Sequence, residues 1–224
     1  LVSAGALGTV TVNGDGGELG YGIILDSDGT ISSNGGTVHV NAFVEGVGRS
    51  GLGMYSASIL SGSNADIIIT TDQIELGSTS EINSGSGTTS IFTDTPGATI
   101  GLGGFDSITH LGLADDELDI ITTGTLQIGN GSNGGIYIDA EITHGNDLSL
   151  TSGAGITIGG AITMAADKNL MIEALGTING SIHFNGADAD LSATGTGAIS
   201  LSTPKNILLE GGSSVTTVNG NLTL

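Results

Sequence analysis

Residues 126–150 read LQIGNGSNGGIYIDAEITHGNDLSL, in which short apolar runs are separated by glycine and small polar residues. Residues 126–128 and 148–150 are both triplets in which a polar residue lies between two apolar ones. Such alternation, bounded by turn-forming residues, is typical of short β-strands with one buried face. The pattern recurs along nearly the whole chain, so the sequence predicts an all-β protein.

The apolar positions repeat at a nearly constant spacing. Three series show it: Leu126, Leu148, Leu170 and Leu191, spaced 22, 22 and 21; Ile136, Ile156, Ile178 and Ile199, spaced 20, 22 and 21; and Ile142, Ile162 and Ile182, spaced 20 and 20. Three short strands in each repeat, with no helical pattern between them, predict a solenoid of β-coils with about 20 to 22 residues per coil. About ten coils, one strand spacing of about 4.8 Å each, would form a rod roughly 50 Å long.

Polar turn residues keep a similar step. Four of them precede strands, namely Asp147, Asn169, Asp190 and Asn206, spaced 22, 21 and 16. Amide and carboxylate side chains at turns bond nearby backbone groups, and in stacked coils they can bond the equivalent group of the next coil. We therefore expect these four residues to form a ladder at one corner of the solenoid.

One stretch, LGLADDELDII at residues 111–121, departs from the strand pattern. Ala114, Leu118 and Ile121 fall at i, i+4 and i+7, and the acidic residues lie in the expected first turn, which predicts a short helix near 113–121. We expect one continuous solenoid made of three stretches: less regular β-helical coils at 1–95, a connecting element with the helix at 96–125, and regular coils at 126–224.

Composition and charge exclude several classes of function. The 224 residues include 41 glycines but no cysteine, and 23 acidic residues outnumber three basic ones, giving a net charge of −20. Nucleic acids and anionic membranes attract clustered cations, so neither is an expected partner. Without cysteine there are no disulfides, thiolate metal sites or cysteine nucleophiles. The first ten residues resemble no signal peptide, no stretch suffices for a membrane-spanning helix, and the chain begins and ends within the strand pattern, as we expect of a fragment.

Two segments carry a family resemblance. PGATIGLGG at residues 96–104, followed by LGLADDELDIITTGTLQIG at 111–129, resembles a connecting element between blocks of β-helical repeats in filamentous-haemagglutinin-type proteins, which are large exported adhesins of Gram-negative bacteria. The resemblance implies a right-handed parallel β-helix, secretion to the cell surface and a role in attachment. The family's amino-terminal secretion domain carries Asn-Pro-Asn motifs, whereas Pro96 and Pro204 here both follow threonine. The resemblance therefore points to an interior shaft segment.

Candidate binding motifs are weak. The pattern G-x-G-x-x-G occurs at residues 46–51 and 129–134, but neither copy lies in a strand-loop-helix unit, so both are interpreted as turns. Residues 26–29, Asp-Ser-Asp-Gly, resemble the start of a calcium loop that lacks its later ligands, which favours an ordinary turn over an adventitious Ca²⁺ site. We expect no cofactor.

Candidate catalytic groups are also sparse. The acidic clusters at residues 115–117 and at Asp188 and Asp190 could serve a polysaccharide hydrolase, but the tyrosines that could form a sugar platform, at positions 21, 55 and 137, look isolated in the sequence. The four histidines, at positions 39, 110, 144 and 183, show no metal-binding spacing and are expected at solvated strand positions. The sequence predicts no enzyme.

Three hypotheses follow for the function. The first is a structural shaft or display segment of an extracellular bacterial adhesin, whose partners are surface glycans or proteins of the host or of neighbouring cells. The second is a self-assembling extracellular fibre subunit, whose partners are copies of itself, because uncapped β-coils expose unpaired strand edges. The third is a secreted polysaccharide-active β-helix enzyme.

Overall fold

A computed structural model describes residues 1–17, 20–44, 50–104 and 110–224. In these residues the strands are short, pair in parallel and stack as a β-solenoid with three faces, which confirms the predicted fold class. Face one consists of a five-stranded and a four-stranded sheet: β1 (Val2–Ala4), β4 (Thr30–Ser33), β7 (Ser58–Ser61), β10 (Glu81–Asn83) and β14 (Ile121–Thr122), then β17 (Ile142–His144), β20 (Ile162–Met164), β23 (Leu191–Ala193) and β26 (Val215–Thr217).

The other two faces complete each coil. Face two is one nine-stranded sheet: β2 (Val10–Asp15), β5 (Val38–Phe43), β8 (Ile67–Thr70), β11 (Thr88–Phe92), β15 (Thr125–Ile128), β18 (Asp147–Ser152), β21 (Leu170–Ala174), β24 (Ile199–Ser202) and β27 (Leu222–Thr223). Face three has a three-stranded sheet, β3 (Ile23–Asp26), β6 (Leu52–Tyr55) and β9 (Ile74–Leu76), and a six-stranded one, β12 (Ile100–Gly103), β13 (Leu111–Ala114), β16 (Ile136–Ile138), β19 (Ile156–Ile158), β22 (Ile182–Phe184) and β25 (Ile207–Leu209).

The core is a set of apolar ladders that run along the solenoid axis. Alternation turns every second side chain inward, and parallel in-register pairing places equivalent side chains above one another. On face two one inward ladder includes Val40, Ile69, Ile91, Ile128, Leu150 and Ile172, all with no exposed surface. A shaft with nine strands on each face measures about 38 Å, since eight spacings of about 4.8 Å separate nine strands, which is shorter than the expected 50 Å.

In the part of the chain that the structure describes, the strands depart at one point from stacking in sequence order, near the predicted connecting element. Strand β12 precedes β13 in the sequence, yet β13 lies between β9 and β12 on face three. The chain therefore passes over one strand position on this face and fills it with the next strand. Helix α1 (Asp115–Asp119) follows and leads to β14, which pairs with β10 on face one. The predicted helix is therefore present, over five residues, between two strands.

The three apolar series predict correctly which residues stack on one another as far as Leu170, and wrongly beyond it. Ile182, and not Ile178, pairs with Ile156, and Ile199 pairs with Leu170 on face two. Ile178 is 85% exposed, in a corner between β21 and β22. The coil from Leu170 to Ile199 has 29 residues where the preceding one has 22, because two of its corners are longer.

Long coils also occur in the first half of the chain. Val10 to Val38 spans 28 residues and Val38 to Ile67 spans 29, whereas Ile67 to Thr89 spans 22. Corners therefore take up insertions while the strand layers stay in register. The division of the chain at residues 95 and 125 and the right-handed coil stay predictions.

Carboxylates and amides cap the turns of successive coils, but the four predicted ladder residues do not share one corner. Asp147 accepts a hydrogen bond from the Asn169 backbone N–H at 2.8 Å, and Asn169 accepts one from the Ala198 N–H at 3.0 Å. Asp190 instead accepts from Ser214 at another corner, and Asn206 takes part through its backbone carbonyl. The ladder prediction is right for the first two residues and wrong for the last two.

Candidate functional site

Face three carries an unusual outer surface in its first three layers. Three strands are in register there, and their central outward residues are Ile24, Gly53 and Glu75. Gly53 has no side chain, which leaves a bare patch of backbone between an exposed isoleucine and a carboxylate. Neighbouring side chains can therefore lie flat against the sheet at this position.

Two tyrosines occupy that patch, so the prediction that the tyrosines are isolated is wrong for Tyr21 and Tyr55. The ring centroids of Tyr21 and Tyr55 are 6.5 Å apart, with the ring planes at 88°, and the two hydroxyl oxygens are 3.1 Å apart. An edge-to-face pair of this kind contributes about 0.5 to 1.5 kcal/mol beyond the area it buries. Tyr137, the third tyrosine, lies elsewhere on face three and is 44% exposed.

The glycine at position 53 makes the pairing possible. A Cβ atom there would lie 3.1 Å from two carbon atoms of the Tyr21 ring and 3.3 Å from one of the Tyr55 ring. These distances are too short for an ordinary van der Waals contact, so a larger residue would displace the rings. The sequence shows no signal for this pairing, because it requires a 29-residue coil from Ile23 to Leu52.

A carboxylate extends the hydroxyl pair. The Glu75 carboxylate lies close enough to the Tyr55 hydroxyl for its negative charge to act on that group. The Tyr21 and Tyr55 hydroxyl groups share one hydrogen bond, in which either group can be the donor. Burial first, then the hydrogen bond with Tyr21 and the nearby Glu75 carboxylate, raises the pKa of Tyr55. Two hydroxyl groups and a carboxylate therefore lie together beside the two rings.

A cleft of about 350 Å³ separates this patch from helix α1. Tyr55, Glu75, Leu76 and Gly77 line one side of it, and Ala114, Asp116 and Glu117 line the other. Asp116 is exposed at the rim, whereas Glu117 is buried. Two of the three acidic residues predicted for the first turn of a helix, Asp116 and Glu117, thus also form part of one wall of a cleft.

Glu117 fixes the position of that wall. One of its carboxylate oxygens accepts a hydrogen bond from the Leu76 backbone N–H at 2.8 Å, and the other accepts from the Ala114 N–H at 3.0 Å. The first bond connects the helix to β9, and the second satisfies the backbone where the helix begins. Sequence reasoning treated Glu117 as one of three equivalent acids and missed this structural role.

The second acidic pair, Asp188 and Asp190, lies far along the chain in a separate hollow of about 430 Å³. Asp139 and Glu141 also line it, so the structure brings distant acids together, as a polysaccharide-active enzyme would require. Asp190 is already engaged, because its Oδ1 accepts from the Ser214 backbone N–H and hydroxyl, each at 2.7 Å. Among the described residues no group of three or more His, Asp or Glu side chains could hold a metal ion.

The histidines lie in four different environments. His144 points into the core with 3% of its surface exposed, so the expectation of a solvated strand position is wrong for it. His39 is outward and half-buried, and Nε2 of His183 is 3.1 Å from a carboxylate oxygen of Glu210. His110 lies against Gly101, where a Cβ would be 2.6 Å from its Nε2.

The glycine-rich and calcium-like segments lie in turns. Residues 129–134 connect β15 to β16, with Gly129 at φ 75° and the Asn133 side chain accepting from the Asn130 N–H at 2.6 Å. Residues 26–29 turn from β3 to β4, with Ser27 and Asp28 at positive φ. Most of the other glycine motif, residues 46–51, lies outside the described residues.

Comparisons with known proteins give no match to a family model, to a curated protein or to a solved structure. Within the described parts of the chain, none of the helices has the length and apolar character needed to cross a membrane.

Proposed function

We propose that this chain is a shaft or display segment of an exported bacterial cell-surface adhesin and that it has no catalytic role. The observation that carries the proposal is the nine-stranded sheet of face two, which spans residues 10 to 223 without interruption. Parallel in-register strands above a continuous apolar core resist bending and hold the two ends of the segment apart. Attachment to surface glycans or proteins of a host or neighbouring cell would then occur on, or beyond, a rigid spacer.

The last coil exposes apolar residues at the open end of the solenoid. Ile207, Val215 and Leu222 are the inward residues of the three final strands, one from each face, and each keeps some exposed surface. Equivalent residues one coil earlier, such as Ile182 and Leu191, have none. A further layer of strands, from any source, would cover them.

The tolerance of the corners for insertions fits a display role. Coils of 22 and 29 residues stack in the same sheet, and the additional residues lie at the surface, as Ile178 does. Solenoids commonly carry binding segments at such corners because the strand layers hold them in place.

Immunolabelling of the source organism tests the proposal. Antibodies raised against the purified chain should label intact cells, and brief treatment of those cells with an external protease should remove the label. A cytoplasmic protein labelled in parallel is the control for cell lysis. Labelling only after permeabilisation would contradict export and therefore the whole proposal.

The exposed Ile207, Val215 and Leu222 also favour the second candidate, a self-assembling fibre subunit. If another copy of the chain supplied the next layer, its first strands, beginning with the exposed Val2 of β1, would cover the three residues. The two candidates differ in what covers the last coil. The solution mass of the purified chain tests this difference, because only the fibre subunit predicts association of copies.

A further inference from the structure

We propose that the cleft between Tyr55 and helix α1 binds an uncharged saccharide unit. The inference goes beyond the shaft function and does not depend on it, because a sugar site on face three could belong to any β-solenoid. It rests on three features of the cleft: an aromatic wall, carboxylates that accept hydrogen bonds, and an excess of negative charge.

The aromatic wall fits the apolar side of a sugar ring. Sugars present C–H groups on one face of the ring, and these pack on tyrosine side chains, whose rings are apolar while the hydroxyl stays polar. Tyr55 lines the cleft, and its edge-to-face contact with Tyr21 holds it in place. Ile24, 53% exposed in the adjoining strand, extends the apolar surface beyond the two rings.

The polar wall fits hydroxyl groups. A saccharide offers many O–H donors, and the cleft offers carboxylate acceptors in Glu75 and in the exposed Asp116. Hydrogen bonds to ionised acceptors are about twice as strong as those between neutral groups. The two walls thus match both faces of one sugar ring.

Charge restricts the class of saccharide. None of the described residues that line the cleft is Lys or Arg, while Glu75, Asp116 and Glu117 all line it. Sulfated or uronic sugars would meet repulsion from these acids and from the net charge of −20. An uncharged sugar brings no such cost.

Rigidity and size make a modest affinity reasonable. The floor is β-sheet, and Glu117 fixes the helix wall through its two hydrogen bonds, so little of the site must become ordered on binding. A volume of about 350 Å³ is near the lower limit for ligand clefts, which suits one or two sugar rings.

Titration of the full chain with defined oligosaccharides tests the inference. The probes are uncharged tetrasaccharides of β-linked glucose, β-linked N-acetylglucosamine and α-linked mannose, with a heparin tetrasaccharide and penta-lysine as charged probes. The readouts are calorimetry and tyrosine emission, which is unobscured because the chain has no tryptophan. The variants are Tyr55→Ala, Glu75→Gln and, as a matched control on the same face, Tyr137→Ala.

We expect at least one uncharged tetrasaccharide to bind, with a dissociation constant below about 10 mM. Tyr55→Ala and Glu75→Gln should each weaken binding roughly tenfold, which is about 1.4 kcal/mol. Tyr137→Ala should leave binding unchanged, and circular dichroism should show that all variants keep the β-solenoid. Glu75→Gln changes no ring and no volume, so it remains informative if Tyr55→Ala fails to fold.

Other outcomes would overturn the inference. Absence of binding by all three uncharged probes would do so, as would binding that neither Tyr55→Ala nor Glu75→Gln weakens. Binding of penta-lysine alone, lost in Glu75→Gln, would reassign the cleft to a cationic partner. None of these results affects export to the cell surface, so this inference and the shaft function can fail separately.

Discussion

The ring of His144 is buried among apolar side chains, directly across from Met164 of the next coil. Neither ring nitrogen has a hydrogen-bond partner among the described residues. Burial lowers the pKa of His144 to about 4, against an ordinary value of 6.5, although the Asp115 carboxylate partly opposes the shift. In the unfolded chain the ring takes up its proton near pH 6.5, whereas the folded chain resists it down to about pH 4.

His144→Met should therefore stabilise the protein, most of all at acidic pH. In the unchanged chain, the unfolded state binds a proton at His144 more tightly than the folded state does. His144 should therefore lower the free energy of unfolding of the unchanged chain by about 3 kcal/mol as the pH falls from 6.5 to 4. At pH 7 the variant should already gain about 1 kcal/mol, because two unsatisfied nitrogens are removed. Urea unfolding at pH 7 and pH 4.5 measures both effects.

His39→Gln, at an outward position of face two, is the control for general effects of removing a histidine. It should leave the pH dependence of unfolding as it is in the unchanged chain. An equal pH dependence in the unchanged chain and in His144→Met would show that the buried ring is not the cause.

Asp167 shows how single carboxylates stabilise the stack of coils. Its Oδ1 accepts a hydrogen bond from the Thr196 backbone N–H at 2.8 Å and another from the Thr196 hydroxyl at 2.9 Å. The backbone bond first, and then the hydroxyl bond, lower the pKa of Asp167 from its ordinary value of 3.8. A lowered carboxyl pKa means that the stabilisation is present above pH 3.8 and is lost as the pH falls through the folded-state value.

Asp167→Asn should lower the urea midpoint at pH 7, and the difference from the unchanged chain should shrink below about pH 4. Asparagine tolerates the positive φ of 66° at this position, so the change tests the charge more than the backbone. Asp188→Asn, at an exposed carboxylate, is the control and should shift the midpoint less. A difference independent of pH would contradict the argument.

At the scale of the strand, the corner before β22 separates two isoleucines of the same sequence pattern. Ile182→Ala should lower the free energy of unfolding by roughly 2 to 5 kcal/mol, because Ile182 is fully buried between Ile156 and Ile207. Ile178→Ala should change it by less than about 0.5 kcal/mol, because that side chain is 85% exposed. Thermal or urea unfolding of the two variants measures the difference, and equal losses would mean that this corner is wrongly placed.

The same corner shows what could be predicted from the sequence. Inward and outward positions follow from local alternation, so the strands around Leu126, Leu148 and Leu170 are predictable, as is the helix near Leu118. Which strands lie next to each other depends on corner length. Segments that each begin with an isoleucine, such as those at 178 and 182, can therefore be aligned with the previous coil in two ways. Only burial and pairing with the previous coil separate the two alignments.

Contacts between coils were unpredictable for a related reason. Tyr21 and Tyr55 meet because a 29-residue coil carries the chain once around the solenoid, while the visible period was near 21. The order of β12 and β13 is likewise a matter of which open position on face three the chain fills. Glu117 acts across 41 residues, on the backbone of Leu76, and nothing near it in the sequence identifies that partner.

Across the whole molecule, the acidic residues have two effects. Several of them accept hydrogen bonds from the next coil, as Asp66 does from the Thr88 N–H and Asp115 from the Thr143 N–H, each at 2.8 Å. Together they also give each chain a charge of −20, which opposes contact between copies at low salt. The apolar residues at the last coil favour contact, so ionic strength controls the balance between them.

We expect the purified chain at low salt to form discrete rods about 38 Å long, since the shaft has nine strand layers. Negative-stain microscopy measures the length, and the solution mass should equal one chain, 21.9 kDa. Filaments that grow as salt screens the charge would favour the fibre subunit instead, with strand edges meeting end to end. In that case Leu222→Asp, at the exposed last strand, should abolish them, whereas Thr157→Asp, on the side of the shaft, should not. Rods that stay single in high salt, with Ile207, Val215 and Leu222 still exposed, would contradict the fibre subunit and favour the shaft function.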